Sequence, residues 1–233
     1  MRIAVISDIH SNLQALQAAF SIIDAAHTDA VYCLGDIVGY GASPNECLDL
    51  VRSRSSIVLR GNHDHAIIDP ELTKTFSKPG RKASEWTRKH ITPKNLEYLT
   101  SLPFRADTEI CTLAHSSPLG PEEWRYVVSL DIAQDQVTAF TAPLCFIGHT
   151  HIPVVCGEDL RTFTFRRGIR MLINVGSVGQ PRDGNPQLSF GMFNSDTWEY
   201  TNVRSEYDID GAAKAIKDAG LPTVLGKRLY EGA

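Results

Sequence analysis

The sequence predicts an α/β protein, with parallel strands in its first half and a region richer in β-structure in its second half. Residues 2–7 have the pattern of a buried strand, an amphipathic helix follows, and residues 30–34 have the pattern of a second strand. Strand, helix and strand in that order form a βαβ unit, whose two strands run parallel. After residue 150 the apolar runs become shorter, which favours strands over helices.

Hydrophobic periodicity and turn residues place the other elements along the chain. Ser11 is the expected N-cap of the first helix, and Thr92, followed by Pro93, is the expected N-cap of a later one. Pro44 begins a short helix. Further helices are predicted at 83–89, 95–102, 131–140 and 209–219, and further strands at 56–60, 109–114, 144–147, 160–165, 169–175, 188–194 and 199–203.

Composition and charge exclude several functional classes. The chain is 42% hydrophobic and 21% charged, with a mean hydropathy of −0.15, as in soluble globular proteins. Its net charge of −4 argues against partners such as long nucleic acids or anionic membranes. No apolar run approaches the ~18 residues of a transmembrane helix, and a strand at residues 2–7 leaves no room for a signal peptide. A cytoplasmic protein is therefore expected.

The 233 residues are expected to form a single domain, because no linker, repeat or low-complexity segment interrupts residues 1–233. The five cysteines are odd in number, widely spaced and without a CxxC pair. They are interpreted as buried thiols in a reducing compartment, not as metal ligands. The segment at 221–233, with its regularly spaced apolar side chains, is expected to pack on the core.

Strand signals vanish between residues 69 and 105, where the sequence predicts a small helical cap insertion. Its residues 77–105 carry seven basic side chains, at positions 78, 81, 82, 88, 89, 94 and 105. Two interpretations stay open. The basic residues form an ordinary solvated helical face, or they form a cap whose positive field gathers an anionic ligand.

Five predicted strands end in polar clusters, and these clusters hold the candidate functional residues: Asp8 with His10, Asp36, Asn62 with His63, His115, and His149 with His151. In open α/β sheets, ligands bind at the carboxyl ends of strands. Two of the clusters pair residues that are two positions apart, and in extended backbone this spacing points both side chains the same way. Each such pair can therefore approach one centre.

The clusters supply a donor set suited to metal ions. Four imidazoles, two carboxylates and one amide are too many ligands for one ion, and they suit two divalent cations that share a carboxylate. Without a thiolate, mixed nitrogen and oxygen ligation favours Mn, Fe, Zn or Ni, with Mn the expected activator. The many neutral imidazoles argue against a Mg or Ca cage. Each cluster alone is typical of a cap, a turn or a buried histidine, but five at strand ends of one chain predict a metal centre.

The motifs Asp8-x-His10, Gly35-Asp36-x-x-Gly39, Gly61-Asn62-His63-Asp64, His115 and Gly148-His149-Thr150-His151 resemble the ordered signature of the calcineurin-like metallophosphoesterases. The match spans nearly the whole chain. Residues 39–41, 44–46 and 176–184 are similar to the short prokaryotic phosphodiesterase branch of that superfamily. Two positions depart from the pattern: Ser116 stands where glycine is usual and is expected to narrow the pocket, and Val175 stands where proline is common.

The resemblance implies a fold and a ligand set. The fold would be a four-layer α/β/β/α sandwich of two mixed β-sheets flanked by helices. One ion would be held by Asp8, His10, Asp36 and His151, and the other by Asp36, Asn62, His115 and His149. Asp36 would then bridge the two ions.

The resemblance also implies a phosphoesterase mechanism. A hydroxide bridging the two ions would attack phosphorus, and His63 would donate a proton or hydrogen bond to the leaving oxygen while Asp64 orients its ring. The expected partner is a small phosphodiester or phosphomonoester, for instance a nucleotide. Arg182 would bind a second phosphate or a diester substituent, unless its role is to pin its loop.

Other functions stay open at this point. The alternatives are a dinucleoside-polyphosphate hydrolase, a nuclease, a phosphoprotein phosphatase, and a catalytically weak protein-binding scaffold of the same fold. The presence of His63 argues against the scaffold, which would be expected to lose the catalytic imidazole.

Overall fold

The computed structural model describes residues 1–233, whose strands form two five-stranded sheets. The strands are β1 (Arg2–Ile6), β2 (Ala30–Cys33), β3 (Ile57–Val58), β4 (Arg105–Asp107), β5 (Cys111–Ala114), β6 (Leu144–Ile147), β7 (Val154–Gly157), β8 (Met171–Asn174), β9 (Leu188–Asn194) and β10 (Glu199–Ser205). The helices are α1 (Leu13–Ala25), α2 (Pro44–Arg54), α3 (Asn62–Ile68), α4 (Lys78–His90), α5 (Pro93–Ser101), α6 (Leu130–Gln136), α7 (Ile209–Asp218) and α8 (Thr223–Glu231).

Both sheets are mixed. The first has the order β10-β9-β1-β2-β3, in which β1, β2 and β3 are parallel and β9 runs antiparallel to β1. The second has the order β4-β5-β6-β8-β7, in which β5, β6 and β8 are parallel. The predicted βαβ unit is confirmed, with Ile3 of β1 in register with Ala30 of β2.

The sheets pack face to face and are covered by helices on their outer sides. Along β1, Ile3 and Val5 point into the core between the sheets, while Ala4 and Ile6 point to the opposite side, beneath α1 and α2. On the outer side of the second sheet, Ile147 packs with residues of α6 and the segment that follows it. This arrangement confirms the predicted four-layer α/β/β/α sandwich.

Several predicted elements differ from the structure. Asn12, not Ser11, caps α1, because the Asn12 side chain accepts a hydrogen bond from the Ala15 amide. No strand forms at 160–165, because the Asp159 carboxylate accepts the amide hydrogens of the next residues and closes a turn. The strands β4 and β7 and the helices α3 and α8 were not predicted. Thr92 caps α5 as expected.

The segment at 69–105 is helical, as the sequence predicts, with a 3-10 turn at Pro70–Thr75 before α4 and α5. Of the seven basic side chains at 77–105, six are exposed, and Arg105 pairs with Asp107. The C-terminal helix α8 packs on the core through Leu225 and Leu229, and all five cysteines are buried and unpaired. None of the helices is both long enough and apolar enough to cross a membrane.

Candidate metal centre

The structure brings all seven predicted ligands together at one edge of the sandwich. The loops after β1, β2 and β3 of the first sheet and after β5 and β6 of the second sheet meet there. Every one of these side chains is buried, with at most 5% of its surface exposed, namely Asp8, His10, Asp36, Asn62, His115, His149 and His151. So many buried histidines and carboxylates, placed this close together, need hydrogen bonds, an opposite charge or a metal ion to offset the cost of their burial.

Five of the ligands lie in left-handed backbone, with φ between 51° and 67°: Asp8, His10, Asp36, His149 and His151. Residues other than glycine rarely adopt this conformation, and where they do it costs roughly 1–3 kcal/mol each and marks functional sites. The paired histidines and aspartate therefore do not converge through extended backbone, as the spacing argument assumed. They converge because the chain turns through positive φ immediately after each strand.

The first group of ligands consists of Asp8, His10 and His151. The Nε2 atom of His151 lies 3.2 Å from Asp8 Oδ1 and 3.1 Å from His10 Nε2. On the far side of each ring, Nδ1 faces a backbone carbonyl, that of Val38 for His10 at 3.2 Å and that of Gln180 for His151 at 2.5 Å. A carbonyl only accepts, so each Nδ1 carries the hydrogen and each Nε2 presents a lone pair, as in a metal site.

The second group consists of Asp36, His115 and His149, with Asn62 beside them. His115 Nε2 lies 3.4 Å from Asp36 Oδ2 and 3.3 Å from Asn62 Oδ1. His149 Nε2 donates to the carbonyl of Trp124 at 3.1 Å, which leaves Nδ1 of His149 as its ligand atom. The second group therefore offers two nitrogens and two oxygens.

The two carboxylates are oriented by backbone amides, and each leaves one oxygen for the centre. Asp8 Oδ2 accepts the His149 amide at 2.9 Å, while Asp8 Oδ1 is buried without any hydrogen-bond partner. Asp36 Oδ1 accepts the His63 amide at 2.8 Å, and Asp36 Oδ2 lies between His115 and His10, 3.7 Å from His10 Nε2. An orphaned buried carboxylate oxygen beside imidazole lone pairs fits a divalent cation, and Asp36 occupies the shared position between the groups.

The charges of the site follow from burial and mutual attraction. Burial by itself disfavours the ionised form of Asp8, but the imidazoles of His151 and His115 hold the pKa of Asp8 well below its ordinary value. Burial lowers the pKa of His149 to about 3. Burial also acts to lower the pKa of His115, but the carboxylates of Asp36 and Asp8 raise it to about 9. Without metal, a proton on His115 therefore supplies part of the missing positive charge.

His63 stands at the start of α3 and faces the cavity next to the ligands. Its ring stacks on Phe76 with centroids 4.3 Å apart and lies 4.4 Å from the ring of Tyr40. Its Nδ1 atom is buried and has no hydrogen-bond partner. Burial lowers the pKa of His63 to about 4, so the ring is neutral near pH 7. The aromatic neighbours hold the imidazole in place at the wall of the cavity.

The predicted role of Asp64 as the partner of the His63 ring is wrong. One carboxylate oxygen of Asp64 accepts the amides of Ile37 and Val38 at 3.0 and 3.1 Å, and the other accepts the Gly61 amide at 3.0 Å. Consecutive residues on a helix point in different directions, so Asp64 cannot follow the ring of its neighbour. Asp64 instead joins the loop after β2 to the start of α3.

Gly61 is required for a reason other than a turn. Its backbone has φ −91°, which any residue adopts, but a Cβ atom there would lie 2.1 Å from Asp36 Oδ1. The backbone of the loop therefore approaches the shared carboxylate too closely for any side chain. This packing holds Asp36 in position.

A cavity of about 530 Å³ opens beside the ligands. His63, His149 and Asn62 reach it, and four aromatic side chains and two arginines form much of its wall: Tyr40, Phe76, Trp124, Tyr126, Arg182 and Arg228. The structure places Arg182 here, as the sequence predicts. None of the seven basic residues of the helical segment lines the cavity, nor does Ser116, whose hydroxyl donates to the Pro121 carbonyl instead of narrowing the pocket.

Sequence reasoning missed Arg228 and the loop that carries Trp124 and Tyr126. The Tyr126 ring stacks on His149 with centroids 4.0 Å apart, and Trp124 has φ 55°. Both aromatic residues lie outside any motif, and only their density in a short polar loop could have signalled a binding wall.

The fold and the donor set define a class: α/β sandwich proteins with a buried centre of histidine and carboxylate ligands suited to divalent metal ions. Residues 1–197 match the calcineurin-like phosphoesterase superfamily domain, and the chain belongs to this superfamily. The resemblance inferred from the motifs is confirmed. Membership supports hydrolase activity, and together with the buried ligand groups it indicates divalent metal ions.

Three proteins from other organisms resemble this chain over nearly its whole length. It is 41% identical to the uncharacterized protein MJ0912 of Methanocaldococcus jannaschii, over 99% of this chain and 98% of that protein. It is 40% identical to a metallophosphoesterase from Sphaerobacter thermophilus, whose crystal structure it matches with a TM-score of 0.90 over 100% of this chain and 99% of that one. The hypothetical protein PH1004 of Pyrococcus horikoshii shares the fold, with 21% identity, a TM-score of 0.85 and coverage of 100% and 98%.

Proposed function

We propose that this protein is a binuclear metal-dependent phosphoesterase that hydrolyses a small phosphodiester or phosphomonoester. The observation that carries the proposal is the position of Asp36. One oxygen of this carboxylate lies between His10 of the first ligand group and His115 of the second, as a bridging ligand requires. A cavity large enough for a small organic phosphate adjoins the second group through Asn62 and His149.

The donor set supports Mn²⁺ as the activating ion, with Fe, Zn and Ni compatible. When bound, two divalent cations supply an activated water and neutralise the charge of the phosphate oxygens. Asp8, His10 and His151 would hold one ion, Asn62, His115 and His149 the other, and Asp36 both. The backbone contacts of His10 and His151 keep these rings aligned before a metal arrives.

His63 supplies the leaving-group contact in this proposal. Its neutral ring donates one N–H hydrogen bond into the cavity, and an anionic phosphate in that cavity counteracts the burial that lowers the pKa of His63. The ring is thus suited to bond or protonate the departing oxygen. Its stacking on Phe76 limits the directions in which it can point.

The test compares wild type with His63→Ala on bis(p-nitrophenyl) phosphate and on p-nitrophenyl phosphate, with and without added Mn²⁺. We expect Mn²⁺-dependent turnover in the wild type and a loss of roughly 10²–10⁴-fold in His63→Ala, the range for removal of a general acid. Bound metal, measured by mass spectrometry, should be unchanged. His90→Ala is the matched control, because His90 is exposed and lies outside the cavity.

Two outcomes would contradict the proposal. Equal turnover in His63→Ala and wild type would show that His63 does not act on the leaving group. No turnover of either ester by protein that holds two metal ions would favour the scaffold alternative.

A further inference from the structure

Two arginines from separate parts of the chain face the same cavity. Arg182 follows β8 in a loop rich in glycine and proline, and its guanidinium carbon lies 5.6 Å from the ring centroid of Tyr40. Arg228 lies on α8, near the end of the chain. Tyr40 is also 4.7 Å from the ring of His10, so one aromatic ring connects Arg182 with the metal ligands.

Neither arginine has an ionic partner within the protein. No carboxylate oxygen lies within 4.0 Å of either guanidinium, and Arg228 has no side-chain hydrogen bond at all. Arg182 donates one bond, at 2.9 Å, to the neutral Gln180 side chain. The acidic side chain of the wall, Glu123, is paired with Arg125 at 2.5 Å. Two arginine side chains without an ion-pair partner therefore face the cavity, which the last residue, Ala233, also lines.

The segments that carry the two arginines are joined. The Gly184 amide donates to the Gly232 carbonyl at 3.0 Å, which ties the Arg182 loop to the residue after α8. Gly232 has φ +64°, and a Cβ atom there would lie 2.7 Å from the backbone of Asn185. Close backbone packing thus holds the Arg182 loop against the end of α8, as a preorganised site requires.

We propose that Arg182 and Arg228 form a second anion subsite, which binds a further phosphoryl group of the substrate beyond the one held at the metal ligands. This inference rests on the proposed function and adds the substrate class: a compound with two phosphoryl groups, such as a diphosphate or an ester of a nucleotide that carries a second phosphate. Guanidinium groups present planar pairs of N–H donors that match phosphate oxygens. The aromatic wall formed by Trp124 and Tyr126 leaves room for an organic group beside them.

Isothermal titration calorimetry tests the subsite without relying on catalysis. Mn²⁺-loaded protein, freed of unbound metal, is titrated with orthophosphate and with methylenediphosphonate, and the ratio of the two dissociation constants is compared between variants. We expect the wild type to prefer methylenediphosphonate, and Arg228→Gln to reduce that preference roughly 10-fold, as loss of one charge-assisted hydrogen bond does. Lys227→Gln, an exposed neighbour outside the cavity, should keep it.

Arg182→Gln, on a different segment, should reduce the same ratio, so the test does not depend on the folding of one variant. Circular dichroism and the metal content after titration accompany each measurement. An unchanged ratio in folded Arg228→Gln, or no preference in the wild type, would overturn the subsite. Hydrolysis of bis(p-nitrophenyl) phosphate is measured in parallel: an arginine-dependent preference without hydrolysis would leave the subsite standing and reject the proposed function.

Discussion

His10 and His151, 141 positions apart in the chain, face each other with their Nε2 atoms 3.1 Å apart. When both rings are neutral and donate from Nδ1 to a backbone carbonyl, two lone pairs meet across this short distance. Asp8 Oδ1, buried and without a partner, adds a negative charge 3.2 Å from His151 Nε2. The folded chain thus carries a local electrostatic repulsion that a cation at this point would relieve.

Metal removal should therefore lower the thermal stability of the protein. An ion at 100 times its dissociation constant stabilises the folded state by about 2.7 kcal/mol, which corresponds to a rise of roughly 5–10 °C in Tm for a chain of this size. We expect scanning calorimetry to show that rise when Mn²⁺ is added to chelator-treated protein. In His151→Ala, which lacks one ligand, the rise should be clearly smaller; an equal rise would show that the ion binds elsewhere.

Metal binding should release a proton from His115. The carboxylates of Asp36 and Asp8 overcome burial and raise the pKa of His115 to about 9, so the metal-free protein holds this proton at pH 7. A ligand nitrogen must be unprotonated, so metal affinity should rise with pH until about pH 9 and level off above it. Calorimetric titration with Mn²⁺ at pH 7, in buffers of different ionisation enthalpy, measures the released protons. A heat independent of the buffer would refute the prediction.

Asp64→Ala should destabilise the fold strongly. The substitution leaves the amides of Ile37, Val38 and Gly61 buried without their acceptor. Each unsatisfied donor costs about 1–3 kcal/mol, so we expect a loss of about 3 kcal/mol or more in the free energy of unfolding. Urea denaturation measures it, with Asp49→Ala, an exposed position on α2, as a control expected to change stability by about 0.5 kcal/mol or less.

Gly232→Ala should cost more stability than Gly220→Ala. Both glycines follow a helix with positive φ, +64° and +69°, so alanine strains the backbone at each by roughly 1–2 kcal/mol. At Gly220 the new methyl group meets open space, whereas at Gly232 it lies 2.7 Å from the backbone of Asn185. Thermal unfolding of the two variants measures the difference. Equal losses of stability in the two variants would mean that the backbone contact between α8 and the Arg182 loop can shift at little energetic cost.

The ligand set was predictable because the order of strands alone brings their ends together. Asp8, Asp36 and Asn62 follow three neighbouring parallel strands, and the carboxyl ends of such strands share one edge of a sheet. The histidines after β5 and β6 reach the same edge from the second sheet. That inference depends on the order of the strands and not on side-chain packing. It therefore holds even where the predicted ends of single strands or helices are wrong.

The surroundings of the ligands were not predictable in the same way. Left-handed backbone at His149 or Asp8 cannot be read from residue type, since aspartate and histidine are enriched at positive φ but still adopt it in only a small fraction of cases. The role expected of Asp64 failed because adjacency in sequence says little about direction on a helix that had not been recognised. Arg228 enters the cavity because α7 and α8 pack on residues distant in the chain, such as Tyr40 and Ala83.

The span of the ligands, from Asp8 to His151, has a consequence for the biosynthesis of the protein. A nascent chain that has emerged from the ribosome only as far as β5 exposes the ligands of the first sheet but lacks the last two imidazoles. Neither ligand group is complete until both sheets have formed and packed. We therefore expect metal acquisition to be a late step of maturation, at which the ions available to the nearly folded chain decide which metal it carries.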